Sequence, residues 1–129
     1  MKENQMRTSM SRVRGLGAAH TGTQDFWRQR LTSVAGIPLC IALIIIVIAL
    51  LGRSHATVRQ TLGSPIVAIT MLLFIINTVY HMWIGMQEII VDYVHEDKLK
   101  LATLLGNTFF CFAIGLASAF AILKLSFGV

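Results

Sequence analysis

Apolar residues occupy three long blocks of the chain, and charged residues are confined to the gaps between them. There are 22 uncharged positions between Arg30 and Arg53, 28 between Arg59 and Glu88, and 23 between Lys100 and Lys124. A helix needs roughly 20 residues to cross a hydrocarbon core about 30 Å thick, so each block predicts one crossing. The pattern therefore predicts an all-α membrane protein with three transmembrane helices, at about residues 26–52, 65–92 and 100–125. The first helix opens in "TQDFWRQRLTSVAGIPL", with Thr23 or Asp25 as a cap, Trp27 at the interface and a kink expected near Val34 from Pro38. The second opens at Ser64 as cap with Pro65 at the first helical position, where its missing N–H costs nothing. The third carries Ala113, Ala117 and Ala121 four apart, with Gly115 and Ala119 in a second row, a spacing that lets helices approach closely in lipid.

Residues 1–24 hold Gly15, Gly17 and Gly22 among scattered Ser and Thr and read as an extended N-terminal arm, leaving 25–129 as the transmembrane anchor domain. The chain is 55% hydrophobic and only 13% charged, which excludes an ordinary soluble surface. In a soluble protein its net charge of +5 would suggest a nucleic-acid partner, but the excess lies in the first thirty residues. Lys2, Arg7, Arg12, Arg14, Arg28 and Arg30 outweigh Glu3 and Asp25 there, the mark of a segment kept on the cytoplasmic side. Partners are then membrane lipid and other subunits, not nucleic acid. Three spans put the loop Gly52–Ser64 outside, the loop Asp92–Lys100 inside and the C-terminus outside.

The first apolar block begins too late and runs too long for a cleaved signal peptide, so it is expected to stay in the mature protein. A bacterial cytoplasmic (inner) membrane is the expected location; the Arg-rich, acid-poor start also admits a mitochondrial transit segment and the inner membrane of that organelle. Cys40 and Cys111 stand singly within apolar runs, with no metal spacing, and are expected to pack. Three helices bury few of one another's faces, so a subunit of a larger assembly is expected.

Chemistry concentrates in "HMWIGMQEIIVDYVHEDK", His81–Lys98. At about 100° per residue, Asn77, Gly85, Glu88 and Asp92 all fall within about 40° of His81. An ionisable group inside a membrane costs about 2.5–3.5 kcal/mol even on lenient scales, so this stripe should face protein, water or a cofactor. His81 admits two readings: a neutral imidazole donating to a carbonyl on a neighbouring helix, or an axial ligand of haem iron, with Gly85 leaving room for the macrocycle. One His cannot fill both axial positions, so the second ligand would come from another chain. Asp92 and Tyr93, about 16 Å further along the helix, are either interface residues or the polar edge of a site for a lipid-soluble quinone. In the second reading Tyr93 bonds a carbonyl oxygen and Asp92 passes protons. Arg28 and Arg30 can snorkel or meet an anionic group.

The segment "HMWIGMQEIIVDYV" resembles the small hydrophobic membrane-anchor subunit of succinate dehydrogenase (respiratory complex II), with its H-x-W-I-G-M…D-Y spacing preserved. "LGAAHTGTQDFWRQRLT" is similar, more weakly, to that family's arm entering its first helix. The resemblance implies one haem b held between this chain and a second hydrophobic anchor subunit, with His81 as an axial iron ligand and Arg30 near a propionate. It also implies that Tyr93 hydrogen-bonds ubiquinone beside the iron–sulfur subunit, with Asp92 close by. Glu88 departs from the Gln of some relatives. The chain has no dinucleotide fingerprint and only two isolated Cys, so succinate oxidation would occur on flavoprotein and iron–sulfur partners. The competing reading is a haem-free transporter subunit or scaffold using the Glu88 and Asp92 stripe. The related fumarate reductases run the reverse reaction, so direction stays open.

Overall fold

A computed structural model of the chain describes Met10 and residues 20–128, with side chains from residue 24 onward in the continuous part. Most of the predicted arm, with Lys2, Arg7, Arg12 and Arg14, lies outside the described residues. Those described form four helices: α1 His20–Leu50, α2 His55–Gly63, α3 Pro65–Tyr93 and α4 Asp97–Phe127. Three of them, α1, α3 and α4, are long and apolar enough to cross a membrane. The fold is all-helical with three candidate spans, as the hydrophobic pattern predicts.

α1 begins at His20, about a turn and a half before the predicted start, because an established apolar helix extends into polar residues at little cost once nucleated. Thr23 and Asp25 consequently lie within the helix and not at its cap, and Asp25 instead pairs with Arg28 at 3.7 Å. The helix runs on through Pro38 and ends where Gly52 takes a left-handed φ of 70°, a conformation costly for any residue with a Cβ.

The predicted outer loop contains a helix of its own. Ser54 caps α2, its hydroxyl accepting from the Thr57 amide at 3.3 Å, and nine polar-to-mixed residues follow without an apolar period to announce them. Ser64 ends α2 and starts α3 in extended conformation, but its hydroxyl donates back to the Thr61 carbonyl at 2.7 Å and does not cap α3. Pro65 does open α3 as expected. Only residues 94–96 separate α3 from α4, so the two form a tight antiparallel hairpin. Asp97 in the first turn of α4 and Lys124 in the last oppose the helix dipole favourably.

α3 is central, packed on α1 along one side and α4 along the other. On the α4 side, buried Asn107 donates to the Trp83 carbonyl at 3.1 Å and accepts from the Cys111 thiol at 3.3 Å. Gly115 lets Val79 approach to within 3.2 Å of where a Cβ would stand. The Gly115 row thus serves the hairpin, whereas Ala113, Ala117 and Ala121 are exposed on the other flank of α4. Cys111 packs as expected, at 2% exposure, but Cys40 is exposed. Among the described residues the buried hydrophobic core is confined to Ala68, Ile84, Ile90, Cys111 and Ile122, while some thirty large apolar side chains remain on the surface. Such a surface is stable only against lipid or other protein.

α2 is anchored where Gly63 meets the end of α4. A Cβ there would lie 2.7 Å from the Leu125 carbonyl oxygen. Gly63→Ala is expected to destabilise the protein by about 1–3 kcal/mol, the usual penalty of overpacking, seen as a lower thermal midpoint in detergent. An unchanged midpoint would show that α2 does not rest on α4.

Candidate functional site at the seam between the first and second spans

The α1 face that meets α3 is a polar row in an apolar helix. Asp25, Gln29, Thr32 and Gly36 lie within about 60° of one another at helical spacing, opposite the Asn77, His81, Gly85, Glu88 and Asp92 stripe. The antiparallel register pairs them in order. Gly36 meets Asn77, Thr32 meets Asn77 and His81, Gln29 meets Gly85, and Asp25 shares a cavity with Glu88 and Asp92. The stripe therefore faces protein along much of its length, as the cost of burying polarity in lipid requires.

Thr32 is the hub of the seam, at 8% exposure. Its hydroxyl lies 2.9 Å from the Arg28 carbonyl, 3.0 Å from the Gln29 carbonyl and 2.8 Å from His81 Nδ1. Asn77 Nδ2 donates to the Thr32 carbonyl at 3.0 Å, so two residues one turn apart on α3 hold the side chain and the backbone of a single α1 residue. His81 Nδ1 is thereby engaged, and Nε2 has no hydrogen-bond partner among the described residues. The bonding of His81 to its neighbouring helix is to a hydroxyl, not to the carbonyl expected of a structural histidine.

His81 lines a groove of about 600 Å³ between α1 and α3, walled by Gly36, Ile37, Cys40, Ile41 and Phe74. The wall is almost wholly apolar, and Cys40 faces it instead of packing inside the chain. Arg30 falls within about 20° of Ile37 and Ile41 on α1, so it extends the same wall toward the start of that helix. Its guanidinium carbon lies 4.6 Å above the Phe26 ring and it has no carboxylate partner among the described residues, leaving it free to meet an anion. Gly85 also earns its place: a Cβ there would come within 3.3 Å of Gln29 Nε2.

A second cavity, of about 410 Å³, opens toward the α3–α4 link and is lined by Asp25, Ile84, Gln87, Glu88, Asp92 and Leu104. The structure thus joins Asp92 and Glu88 to each other and to Asp25, which the sequence suggested only as a cap. Tyr93, at the last position of α3, is not among the residues lining this cavity and is 79% exposed. His81 and the Asp92–Tyr93 pair remain at separate depths of one helix. Thr32 and Gln29 were not singled out from sequence, although a Gln and a Thr three apart, continued by Gly36, form a polar row complementary to the one on α3.

The family model of the succinate dehydrogenase/fumarate reductase transmembrane subunit matches residues 4–115. The chain belongs to that family. Among its relatives, the succinate dehydrogenase hydrophobic membrane anchor subunit of Paracoccus denitrificans is 29% identical over 121 residues, covering 94% of this chain and 93% of the relative. The protein of the same description from Rickettsia bellii (strain RML369-C) is 27% identical over 94 residues, 73% of this chain and 75% of that one. No solved structure matches significantly. Membership makes this a multi-pass membrane subunit of an enzyme complex, which accounts for its uncovered apolar surface.

The seam is also a structural bond between spans. Replacing Asn77 by Leu removes the donor to Thr32 and is expected to weaken the α1–α3 contact by about 0.6–1.7 kcal/mol, the range for interhelical hydrogen bonds in membranes. Thermal denaturation of the detergent-solubilised complex measures it.

Proposed function

We propose that this chain is the hydrophobic membrane anchor of succinate dehydrogenase, holding haem b together with a second anchor subunit and completing the site where ubiquinone is reduced. The observation that carries the reading is His81. Its Nδ1 is occupied by Thr32, its Nε2 is unengaged, and it stands in an apolar groove walled by α1 and α3. A neutral imidazole with one nitrogen hydrogen-bonded and the other bare is the donor that haem iron takes. His81 would supply one ligand to the haem iron and the partner anchor the other, since His81 is the one histidine within the candidate spans among the described residues. Arg30, on the same wall, would neutralise a propionate. Bound there, haem b supplies a one-electron redox centre in the membrane.

The quinone site belongs to the other end of α3. Tyr93 would donate its phenol proton in a hydrogen bond to a carbonyl oxygen of ubiquinone and orient the head group. Its exposure fits a pocket whose remaining walls come from other subunits, the iron–sulfur subunit first among them. Reduction to ubiquinol takes up two protons, and Asp92 would relay them from the cytoplasmic side. The cavity that Asp92 shares with Glu88 and Asp25 provides a carboxylate-lined approach and offers Glu88 a part in the same relay. Electrons come from succinate through the flavoprotein and iron–sulfur subunits. In this arrangement the N-terminal arm, about residues 1–24, lies on the cytoplasmic side of a bacterial inner membrane, where the soluble subunits dock.

Two variants of the whole complex test the proposal. His81→Ala is expected to abolish the haem b absorbance or change its axial ligation; unchanged ligation would exclude His81. Tyr93→Phe is expected to lower succinate:ubiquinone reductase activity about 10²–10³-fold, the scale of removing one hydrogen-bond donor from an oxygen that gains charge, while succinate-dependent reduction of a water-soluble dye persists. Equal retention of both activities would remove Tyr93 from the site.

A further inference from the structure

We propose that Thr32 is a positioning residue for the haem ligand: its hydroxyl accepts the Nδ1 proton of His81, which fixes the tautomer with Nε2 bare, sets the plane of the ring and strengthens the imidazole as an electron donor. This rests on the haem reading of His81 given above, and concerns how the ligand is held.

The direction of the hydrogen bond follows from the neighbours. Thr32 has one hydroxyl proton and three contacts within 3.0 Å, of which the Arg28 and Gln29 carbonyls are acceptors only. If the proton goes to either carbonyl, a lone pair of Oγ1 faces Nδ1, and the imidazole must donate. In the opposite arrangement Thr32 would give up both carbonyls to donate to Nδ1. The ring's single N–H proton would then sit on Nε2, which has no hydrogen-bond partner among the described residues, in a groove whose surface is almost wholly apolar. An unpaired donor facing hydrocarbon is the worse outcome. The Nδ1–H tautomer pairs the one ring N–H of His81 with Thr32 and leaves only an acceptor bare on the ring, which is what an iron ligand requires.

The support behind the hydroxyl is equally specific. Thr is stiff at χ1, and its back-bonding to the preceding turn holds the hydroxyl in place. Asn77 grips the carbonyl of the same residue from α3, so a ring on α3 is oriented by a hydroxyl that α3 itself keeps in register. A hydrogen-bond acceptor on the remote nitrogen of a ligating His raises its basicity and favours the ferric over the ferrous state.

The test uses the complete complex in mild detergent, with Thr32→Val, which keeps the shape and removes the hydroxyl, and Thr32→Ser, which restores it. The expected result for Thr32→Val is a rise in the midpoint potential of haem b, a shift in the low-spin ferric electron paramagnetic resonance signal, and haem retention weakened about tenfold or more. Thr32→Ser is expected to return all three toward the parent values. An unaltered potential and signal in Thr32→Val, or no recovery in Thr32→Ser, would overturn the proposal. Should Thr32→Val fail to assemble, pulsed resonance on the parent complex with ¹⁵N-histidine, in H₂O and D₂O, decides directly. A hydrogen-bonded exchangeable proton on the remote Nδ1 is expected; coordination through Nδ1, or no such proton, defeats the idea. Axial ligation that survives His81→Ala would instead defeat the ligand assignment itself.

Discussion

Everything else in this chain depends on one constraint: polar side chains inside a membrane must find partners within the protein. The α1–α3 seam meets it around Thr32, which bonds both Asn77 and His81, while one turn away Gln29 Oε1 stays buried without a partner among the described residues. Hydrophobic burial cannot choose the register of two helices in lipid, because sliding one past the other exchanges one apolar surface for another. Sliding α1 past α3 by one turn would part Thr32 from both Asn77 and His81. The same residues that present chemistry to the groove thus also align the spans. On the opposite side of α3, Asn107 and Cys111 do this for the hairpin.

The same physics leaves the chain incomplete. Three spans arranged with α3 in the middle leave the outer faces of α1 and α4 bare. In a transmembrane subunit these faces meet lipid in part and neighbouring subunits in part. The groove beside His81 and the exposed Tyr93 fit that account: one is walled on two sides, and the other has hardly any walls in this chain.

Span number and length were legible because hydrocarbon thickness imposes them on the sequence. The shared face of Asn77, His81, Gly85, Glu88 and Asp92 was legible because helical geometry is fixed. What stayed hidden depends on the partner row: Thr32 and Gln29 look unexceptional until α1 is laid against α3. The extra turns at the start of α1 and the short helix α2 were missed for a different reason, since polar helices outside the bilayer carry no hydrophobic period. Ser64 is the N-cap residue of α3 as the sequence suggests, but its hydroxyl bonds α2 because two helices meet at that one residue.

α3 runs from Pro65 to Tyr93 without a proline or a break. An uninterrupted helix is a ruler, and this one has His81 marked near its middle and Asp92 and Tyr93 at its end. Side chains between those marks can change with only local effect. Inserting or deleting one residue would advance the end by about 1.5 Å and swing it by about 100°, carrying Tyr93 and Asp92 to another face. A change of length between residues 82 and 91 is therefore of another order than a substitution there, because it displaces every residue beyond it at once.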